Sequence, residues 1–252
     1  MQIFGIDIWR ILTCAVLIYF VVMRANIVAI YAKKLYANRD YEKSLKIFSI
    51  ADKIGNLNVP NKLLYGYVLL RVGRVEDAMV QLRALLPLTK PKSPQRYQIK
   101  NLLGLCYWKQ DNLADAIEEM EEIIADDYKT TQIYQNLGIL YNLNDDTEKA
   151  LKFNLEAYEY NSDDNIIVDN LADCYSIRGE YEKAAELYEE LMGRDPEPRF
   201  PEAYYGYGKV LLALGNKDKG IEMIEKSLTK PFSFLSIRPK EEIETLLAEA
   251  KK

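Results

Sequence analysis

The sequence predicts an all-α protein built from about six stacked helical hairpins, with one apolar helix before them and one short helix after them. Three observations predict this fold class: similar segments recur every 34 residues, small side chains hold two fixed places in each segment, and an uncharged run precedes the first segment. A single helical hairpin cannot bury its apolar face alone, so recurring hairpins stack on their neighbours. The fold is therefore expected to be a solenoid.

The composition is that of a folded chain with few means of catalysis. Of the 252 residues, 49% are apolar and 28% are charged, and the net charge is −5. This acidic balance disfavours nucleic acid as a partner. The absence of histidine removes the commonest general base and metal ligand, and no nucleophile beside a base and no phosphate-binding loop is recognisable. We therefore expect no enzyme, no cofactor and no metal site.

The three cysteines, Cys14, Cys106 and Cys174, are far apart in the sequence and form no C-x-x-C motif. This spacing predicts neither a zinc site nor a disulfide framework, and it fits a reducing compartment. Cys106 and Cys174 hold the same place in their repeat units, which indicates a role in packing.

The uncharged run Ile11–Met23 is apolar on every side of a helix, unlike the one-sided stripe of a surface helix. Thirteen residues rise about 20 Å, so a membrane span must recruit the flank Ile3–Trp9. The two charges at this end of the run, Asp7 and Arg10, are three residues apart and can pair on one helix face. We expect residues 1–24 to form a hydrophobic helix that anchors the chain in a membrane.

Two alternatives to the anchor stay open. The helix can pack into the fold or into an oligomer interface, or it can be a secretory signal, although no A-x-A cleavage site follows the run. For a span over residues 3–24, the positive-inside rule favours a cytoplasmic repeat domain. The basic residues that follow the run are Arg24, Lys33, Lys34 and Arg39, whereas only Arg10 precedes it. Without a span, the whole chain is expected in the cytoplasm.

The repeat has a period of 34 residues. The segments that start at Asn101, Gln135 and Asp169 align at this spacing and read NLLGLCYWKQDNLADAIEEM, QNLGILYNLNDDTEKALKFN and DNLADCYSIRGEYEKAAELY. Extended along the chain, the pattern gives six units over residues 25–235, which start near Ala25, Val59, Tyr97, Thr131, Asn165 and Pro201. The stretch 238–252 carries an apolar stripe with charges elsewhere and is expected to be a capping helix.

Small side chains mark where the two helices of a unit approach each other. The eighth residue of each unit is small, namely Ala32, Gly66, Gly104, Gly138, Ala172 and Gly208. The twentieth residue is also small, namely Ser44, Ala78, Ala116, Ala150, Ala184 and Gly220. The turn between them often carries glycine or aspartate, which suits a helix end followed by a new N-cap. Large apolar residues recur at a packing position of the second helix, where Asn154 is the exception.

These residues resemble the tetratricopeptide repeat family over roughly residues 25–235. The resemblance implies a right-handed α-solenoid whose concave groove is lined by the first helix of each unit and receives an extended peptide or a partner helix. Carried over position by position, the groove residues of this chain are Tyr36, Tyr67, Leu70, Arg71, Asn101, Trp108, Gln135, Asn136, Asn142, Asp169, Asn170, Asp173, Tyr205 and Lys209.

Two subsets of these residues carry more specific expectations. Tyr67, Leu70 and Trp108 are the expected apolar anchors, because they are large and lie where solvent would otherwise touch them. Asn136 and Asn170 hold equivalent places in successive units, where an amide can pair with an extended backbone. They resemble the start of the asparagine ladder of O-linked N-acetylglucosamine transferases, although ordinary repeats also carry asparagine there.

The function expected from these observations is a non-catalytic scaffold or adaptor. It is anchored to a membrane and binds a protein or peptide of unknown identity in the groove. The alternative is a soluble interaction or regulatory module whose first helix packs into the fold or an oligomer interface. An enzyme is the third class, and no constellation of residues in the sequence supports it.

Overall fold

The computed structural model describes residues 2–3 and 6–252, and the side chains of residues 9–10 and 12–252. The predicted pair between Asp7 and Arg10, and the first side chains of the predicted span, lie outside the described residues. The chain divides into two compact units, residues 1–99 and 100–252.

The first unit contains two helical hairpins preceded by a minimal β-hairpin. Strands β1 (Gln2–Ile3) and β2 (Ile6–Asp7) pair antiparallel. The expectation that Ile3, Ile6 and Asp7 belong to the hydrophobic helix is therefore wrong, because their backbone pairs between strands and the helix begins at Ile8. The helices of this unit are α1 (Ile8–Ala37), α2 (Tyr41–Ile54), α3 (Val59–Arg71) and α4 (Val75–Arg83), followed by a 3-10 turn at Leu86–Leu88. Helix α5 (Pro94–Lys109) starts in this unit and ends in the next.

The second unit continues the series of helical hairpins and ends with a short helix. Its helices after α5 are α6 (Leu113–Ala125), α7 (Thr131–Asn142), α8 (Thr147–Tyr160), α9 (Asn165–Ile177), α10 (Tyr181–Met192), α11 (Pro201–Ala213), α12 (Lys217–Leu228) and α13 (Lys240–Ala250). The described residues thus hold thirteen α-helices, and the all-α solenoid fold class is confirmed.

The turns inside the hairpins share one backbone conformation. Five of the six have a positive φ at the place predicted to favour glycine or aspartate: Arg39, Gly73, Asp111, Gly179 and Gly215. Such a residue ends a helix because its left-handed backbone cannot continue the turn. In three of the hairpins the next helix is then capped by an Asx side chain. Asp40, Asn112 and Asp146 accept a hydrogen bond from the backbone N–H three residues ahead.

In three of the units, the two small residues meet as expected. A Cβ built on Gly208 lies 2.9 Å from the carbonyl oxygen of Gly220, and one built on Gly104 lies 3.2 Å from that of Ala116. In the first hairpin the Ser44 hydroxyl donates to the Ala32 carbonyl at 2.9 Å. The helices of a hairpin are therefore close enough that a larger side chain at either place meets backbone.

Asn154, the polar exception in the packing series, is fully buried. Its amide donates to Asn142 Oδ1 at 2.8 Å, and its own Oδ1 lies 2.5 Å from a Cβ built on Gly138. The side chain thus takes the space that the missing side chain of Gly138 leaves. Cys106 and Cys174 are buried and outside any disulfide, in agreement with their predicted packing role, whereas Cys14 is exposed.

Helix α1 carries the apolar run directly into the first hairpin. Every residue from Leu12 to Val22 is exposed, and the exposed fraction reaches 64% at Val22. Further along the same helix, Ala25, Ala29 and Ala32 are fully buried. The segment Leu12–Ala37 is long and apolar enough to cross a membrane, with 11% of its most apolar window buried. The run therefore does not pack into the fold of its own chain, which was one of the alternatives.

Candidate peptide-binding groove

In the first unit, three of the predicted groove residues form one aromatic cluster. The rings of Tyr36 and Tyr67 meet edge to face with centroids 6.1 Å apart, and Arg71 donates to the Tyr67 hydroxyl at 3.3 Å. Tyr41, which the sequence analysis did not select, joins them, since the Arg71 guanidinium lies 4.4 Å from its ring centroid. All four side chains are half-buried, so the cluster offers flat aromatic edges beside one cation.

Five predicted groove residues are buried rather than open to solvent. Leu70 has no exposed surface, so the expectation that it meets solvent as an apolar anchor is wrong. Its isobutyl group gains more from packing in the core than it would on a wetted face. The other four buried residues lie in the second unit: Asn101, Asp169, Asn170 and Tyr205.

Asparagine and glutamine side chains link the first helices of the second unit. Asn136 donates to Asn101 Oδ1 at 2.9 Å, and Asn170 donates to the Gln135 carbonyl at 2.9 Å. Asn142 donates to the Asn170 carbonyl at 2.7 Å, which ties α7 to α9 a second time. These amides hold successive hairpins together. Asn170, which is buried and already donates within the chain, is therefore not an open rung of an asparagine ladder.

Three carboxylates converge beside these amides. Asp169 and Asp173 come from α9, and Glu202 comes from the first turn of α11. All three line a cavity of about 20 Å³, a volume that holds about one water molecule. The cavity is also lined by Tyr188, whose hydroxyl is buried and, like Asp169 Oδ1, has no hydrogen-bond partner among the described residues. The second unit therefore contains an acidic cavity whose polar groups are not fully paired.

Burial raises the pKa of each carboxyl group. For Asp169, desolvation raises the pKa well above its ordinary value, and the neighbouring charges of Asp173 and Glu202 raise it further. Desolvation also raises the pKa of Asp173, against the opposing effect of Lys209 and Arg238. For Glu202, desolvation raises the pKa and the backbone N–H of Ile237 opposes it. The nearby cations Lys109, Lys209 and Arg238 thus offset the desolvation of these carboxyl groups only in part.

The segment between α12 and α13, residues 229–239, reaches this cavity. Ile237 and Arg238 form part of the cavity wall. Further back in the segment, Phe234 lies over the end of α5, with its ring centroid 5.5 Å from Lys109 Nζ. We call residues 234–238 the covering segment. It contacts α5 and α11 and faces α7 and α9 across the cavity.

Lys109 and Glu202 hold the covering segment by a single peptide group. Lys109 Nζ donates to the carbonyl oxygen of Ser236 at 3.0 Å, and Glu202 Oε1 accepts from the N–H of Ile237 at 2.9 Å. These two backbone groups belong to the same peptide bond. Both contacts are with main-chain atoms, which any extended peptide offers, and the Ser236 side chain and the Phe234 ring lie beside the same pair.

Further predicted groove residues lie near Lys109 or near the covering segment. Lys109 Nζ lies 3.7 Å from the Trp108 ring centroid, and desolvation lowers the pKa of Lys109 to about 8. Lys209 Nζ lies 5.4 Å from the Tyr205 ring centroid, and the Tyr205 hydroxyl donates to Glu242 at 3.3 Å. The structure therefore brings Asp173 and Tyr205 to the cavity wall that Ile237 and Arg238 complete, with Trp108 next to Lys109.

Neither Glu202 nor the covering segment was among the residues predicted from the sequence. Glu202 is the second residue of its unit, one of the places that line the groove in the resembling family, and this position was the available signal. The covering segment has no such signal, because no periodicity links residues 234–238 to helices that lie up to 127 residues earlier in the chain.

Family models place the repeats along most of the chain. Tetratricopeptide repeat models match residues 63–129, 101–165 and 175–229, which together exceed half of the sequence. The chain belongs to the tetratricopeptide repeat family. Members of this family generally mediate protein–protein interactions, and their fold is typically a non-catalytic scaffold. No curated protein sequence matches this tetratricopeptide repeat protein.

Solved structures show the same fold at low sequence identity. A tetratricopeptide repeat protein from Parabacteroides merdae has a TM-score of 0.72 at 16% identity, over 91% of this chain and 85% of that one. PilW, a type IV pilus biogenesis factor, has a TM-score of 0.64 at 20% identity, over 88% and 98%. YrrB, described as having an unusual peptide-binding site, has a TM-score of 0.50 at 18% identity, over 77% and 92%. These similarities support the fold alone.

Proposed function

We propose that this protein is a membrane-anchored scaffold that binds an extended segment of a partner protein on the first-helix face of residues 100–252. The observation that carries the proposal is the peptide group of Ser236–Ile237, which is held from both sides by Lys109 and Glu202. A face that binds one extended backbone by such contacts is chemically suited to bind another. YrrB illustrates that a fold of this kind accommodates a peptide-binding site.

The anchor is supported by the exposure and the continuity of α1. An exposed apolar stretch from Leu12 to Val22 needs an apolar environment, and a bilayer supplies one around the whole helix. A signal sequence would also pass a test of length and composition. Cleavage after the run would, however, remove or expose the alanines of the same helix that are buried beside α2. The basic residues after the run support a cytoplasmic repeat domain.

Removal of residues 1–24 is expected to convert the protein from a membrane-bound to a soluble form. In fractionated cells, the full chain should stay in the membrane pellet after an alkaline wash, and the truncated chain should be soluble and helical. The reason is that the truncation removes the exposed apolar run and keeps the helix from Ala25 onward, which packs in the first hairpin. A full chain that is washed into the supernatant would show that α1 is not an anchor.

A photo-cross-linking residue in place of Trp108 is expected to capture a second protein in intact membranes. Trp108 is half-buried next to Lys109, at the edge of the proposed peptide-binding face. The matched control is the same residue in place of Lys152, which is exposed on the second helix of its hairpin. Equal cross-linking from both positions, or cross-linking from Lys152 alone, would contradict the proposed face. The captured band is then identified by mass spectrometry.

A further inference from the structure

The covering segment occupies the proposed peptide-binding face, but it leaves some polar atoms of the acidic cavity without a hydrogen-bond partner among the described residues. Arg238 lines the cavity, yet its nearest ion-pair partner is Glu242, at 3.5 Å, on the segment's own following helix. Asp169 Oδ1 and the Tyr188 hydroxyl stay without a hydrogen-bond partner among the described residues. A buried carboxylate without a partner costs free energy that a well-placed cation recovers. The segment is therefore an imperfect occupant.

We propose that residues 234–238 act as a ligand in cis, that is, as a segment of the chain that occupies its own peptide-binding face. The partner is an extended peptide in which an aliphatic residue is followed by arginine, and this peptide displaces the segment. The proposal rests on the proposed function and names the partner class for the same face. Lys109 and Glu202 bind one peptide group of the partner, as they bind Ser236–Ile237 now. Once the covering segment has left, the arginine that follows takes the place of Arg238 beside the carboxylates of Asp169, Asp173 and Glu202.

Arginine suits this cavity better than other side chains do. Its planar guanidinium presents five N–H donors, enough to meet several carboxylate oxygens and the free tyrosine hydroxyl at once. The arginine of the covering segment reaches the cavity wall but is also drawn to Glu242. An arginine in a separate chain is not held near Glu242 by its own backbone.

The two ends of the covering segment allow it to leave without unfolding the helices beside it. Phe232 packs with Tyr205, Ile224 and Ile243, where α13 covers the end of the repeats. Helix α13 begins at Lys240, directly after Pro239. Between these fixed points the segment is held to the earlier helices through the contacts of Lys109 and Glu202. It can therefore lift away while α13 stays packed on α12.

The test uses the full chain in nanodiscs and a fluorescein-labelled peptide with the sequence FSFLSIR, which copies residues 232–238. Binding is measured by fluorescence anisotropy. Arg238→Glu places a negative charge beside Asp173 and is expected to release the covering segment, so that the peptide binds at least about tenfold more tightly than to the unsubstituted protein. The matched control is Lys240→Glu, the same charge change at an exposed position of α13, which should bind the peptide as the unsubstituted protein does.

The role of arginine is tested with a second peptide, FSFLSIQ, on the Arg238→Glu protein. Loss of the guanidinium is expected to weaken binding by about tenfold or more, because the buried carboxylates then lose their charged partner. Equal binding of the two peptides would overturn the arginine specificity. If the Arg238→Glu, Lys240→Glu and unsubstituted proteins bound FSFLSIR with equal affinity, the proposal that the covering segment is a ligand in cis would be wrong.

Hydrogen exchange supplies a readout that needs no substitution. In the unsubstituted protein, excess FSFLSIR is expected to accelerate exchange of the Ile237 amide, which is now donated to Glu202, whereas excess FSFLSIQ is not. An unchanged Ile237 exchange rate at saturating FSFLSIR would show that the covering segment is not displaced. If Trp108 still cross-links a second protein in that case, the scaffold function stands and only the ligand in cis is wrong.

Discussion

Replacement of Gly208 by alanine is expected to lower the free energy of unfolding by about 3 kcal/mol, at the upper end of the range for overpacked sites. The new methyl group would lie 2.6 Å from Ile224 Cγ1 and 2.9 Å from the Gly220 carbonyl oxygen. The second contact is with backbone, so a side-chain rotation cannot relieve it. Alanine is the better helix former by about 1 kcal/mol, and the expected loss therefore shows that helix contact outweighs helix propensity here.

The measurement for Gly208→Ala is thermal unfolding of the full chain followed by circular dichroism. For a chain of this length, a loss of this size corresponds to a fall in Tm of about 6–12 °C. The matched control is Gly193→Ala at the end of α10, where φ is −79° and the nearest atoms to the new methyl group are backbone oxygens at 3.5 Å. That change should be neutral or slightly stabilising. Equal Tm values for both variants would contradict the close approach of α11 and α12.

Replacement of Asp169 by asparagine is expected to raise the free energy of unfolding at neutral pH by ~1–2 kcal/mol, the usual size of a single stabilising substitution. Asp169 is buried beside Asp173 and Glu202, and one of its oxygens lacks a hydrogen-bond partner among the described residues. Asparagine has nearly the same shape, carries no charge and can donate a hydrogen bond into the cavity. The expected rise in Tm is about 2–8 °C.

The pH dependence of this effect has a defined sign. The pKa of Asp169 is raised in the folded state, so between its ordinary value and the raised value the folded chain binds more protons than the unfolded chain does. The contribution of this group to stability is therefore fully present at low pH and is lost as the pH rises through the folded-state pKa. The advantage of Asp169→Asn over the unsubstituted protein should shrink as the pH is lowered from neutral toward 4.

The control for Asp169→Asn is Asp163→Asn, the same chemical change at an exposed position shortly before α9. It is expected to alter the free energy of unfolding by less than about 0.5 kcal/mol at any pH in this range. If Asp169→Asn lowered the free energy of unfolding, or if its advantage in this free energy grew as the pH was lowered, the carboxylate of Asp169 would not be buried without a partner. If Asp169→Asn stabilised the protein and also bound FSFLSIR more weakly, the Asp169 carboxylate would lower the stability of the fold while it strengthens peptide binding.

Local signals in the sequence determined the hairpins and their close contacts. Gly73, Gly179 and Gly215 adopt the left-handed backbone that ends a helix, and glycine accepts that conformation without strain. Gly208 and Gly220 were identified as the point of closest approach because the period of 34 residues aligns them with small residues in the other units. Such features depend on residues near one another in the sequence, which is why periodicity finds them.

Exposure and pairing were decided only by the tertiary structure. Leu70 and Trp108 were equivalent as predicted anchors, yet Leu70 is fully buried and Trp108 is partly exposed, because burial depends on neighbours that the repeat pattern does not specify. The amide of Asn170 was expected to face a partner and instead bonds the Gln135 carbonyl of the preceding unit.

The contacts of the Ser236–Ile237 peptide group separate most clearly what the sequence predicts from what only the tertiary structure decides. The sequence by itself determined the helices that carry Lys109 and Glu202, through the period of 34 residues. It carried no information that a non-repetitive segment after α12 would lie between these two side chains. Contacts between residues 127 and 35 positions apart depend on how successive hairpins stack, and only the packed chain fixes that arrangement.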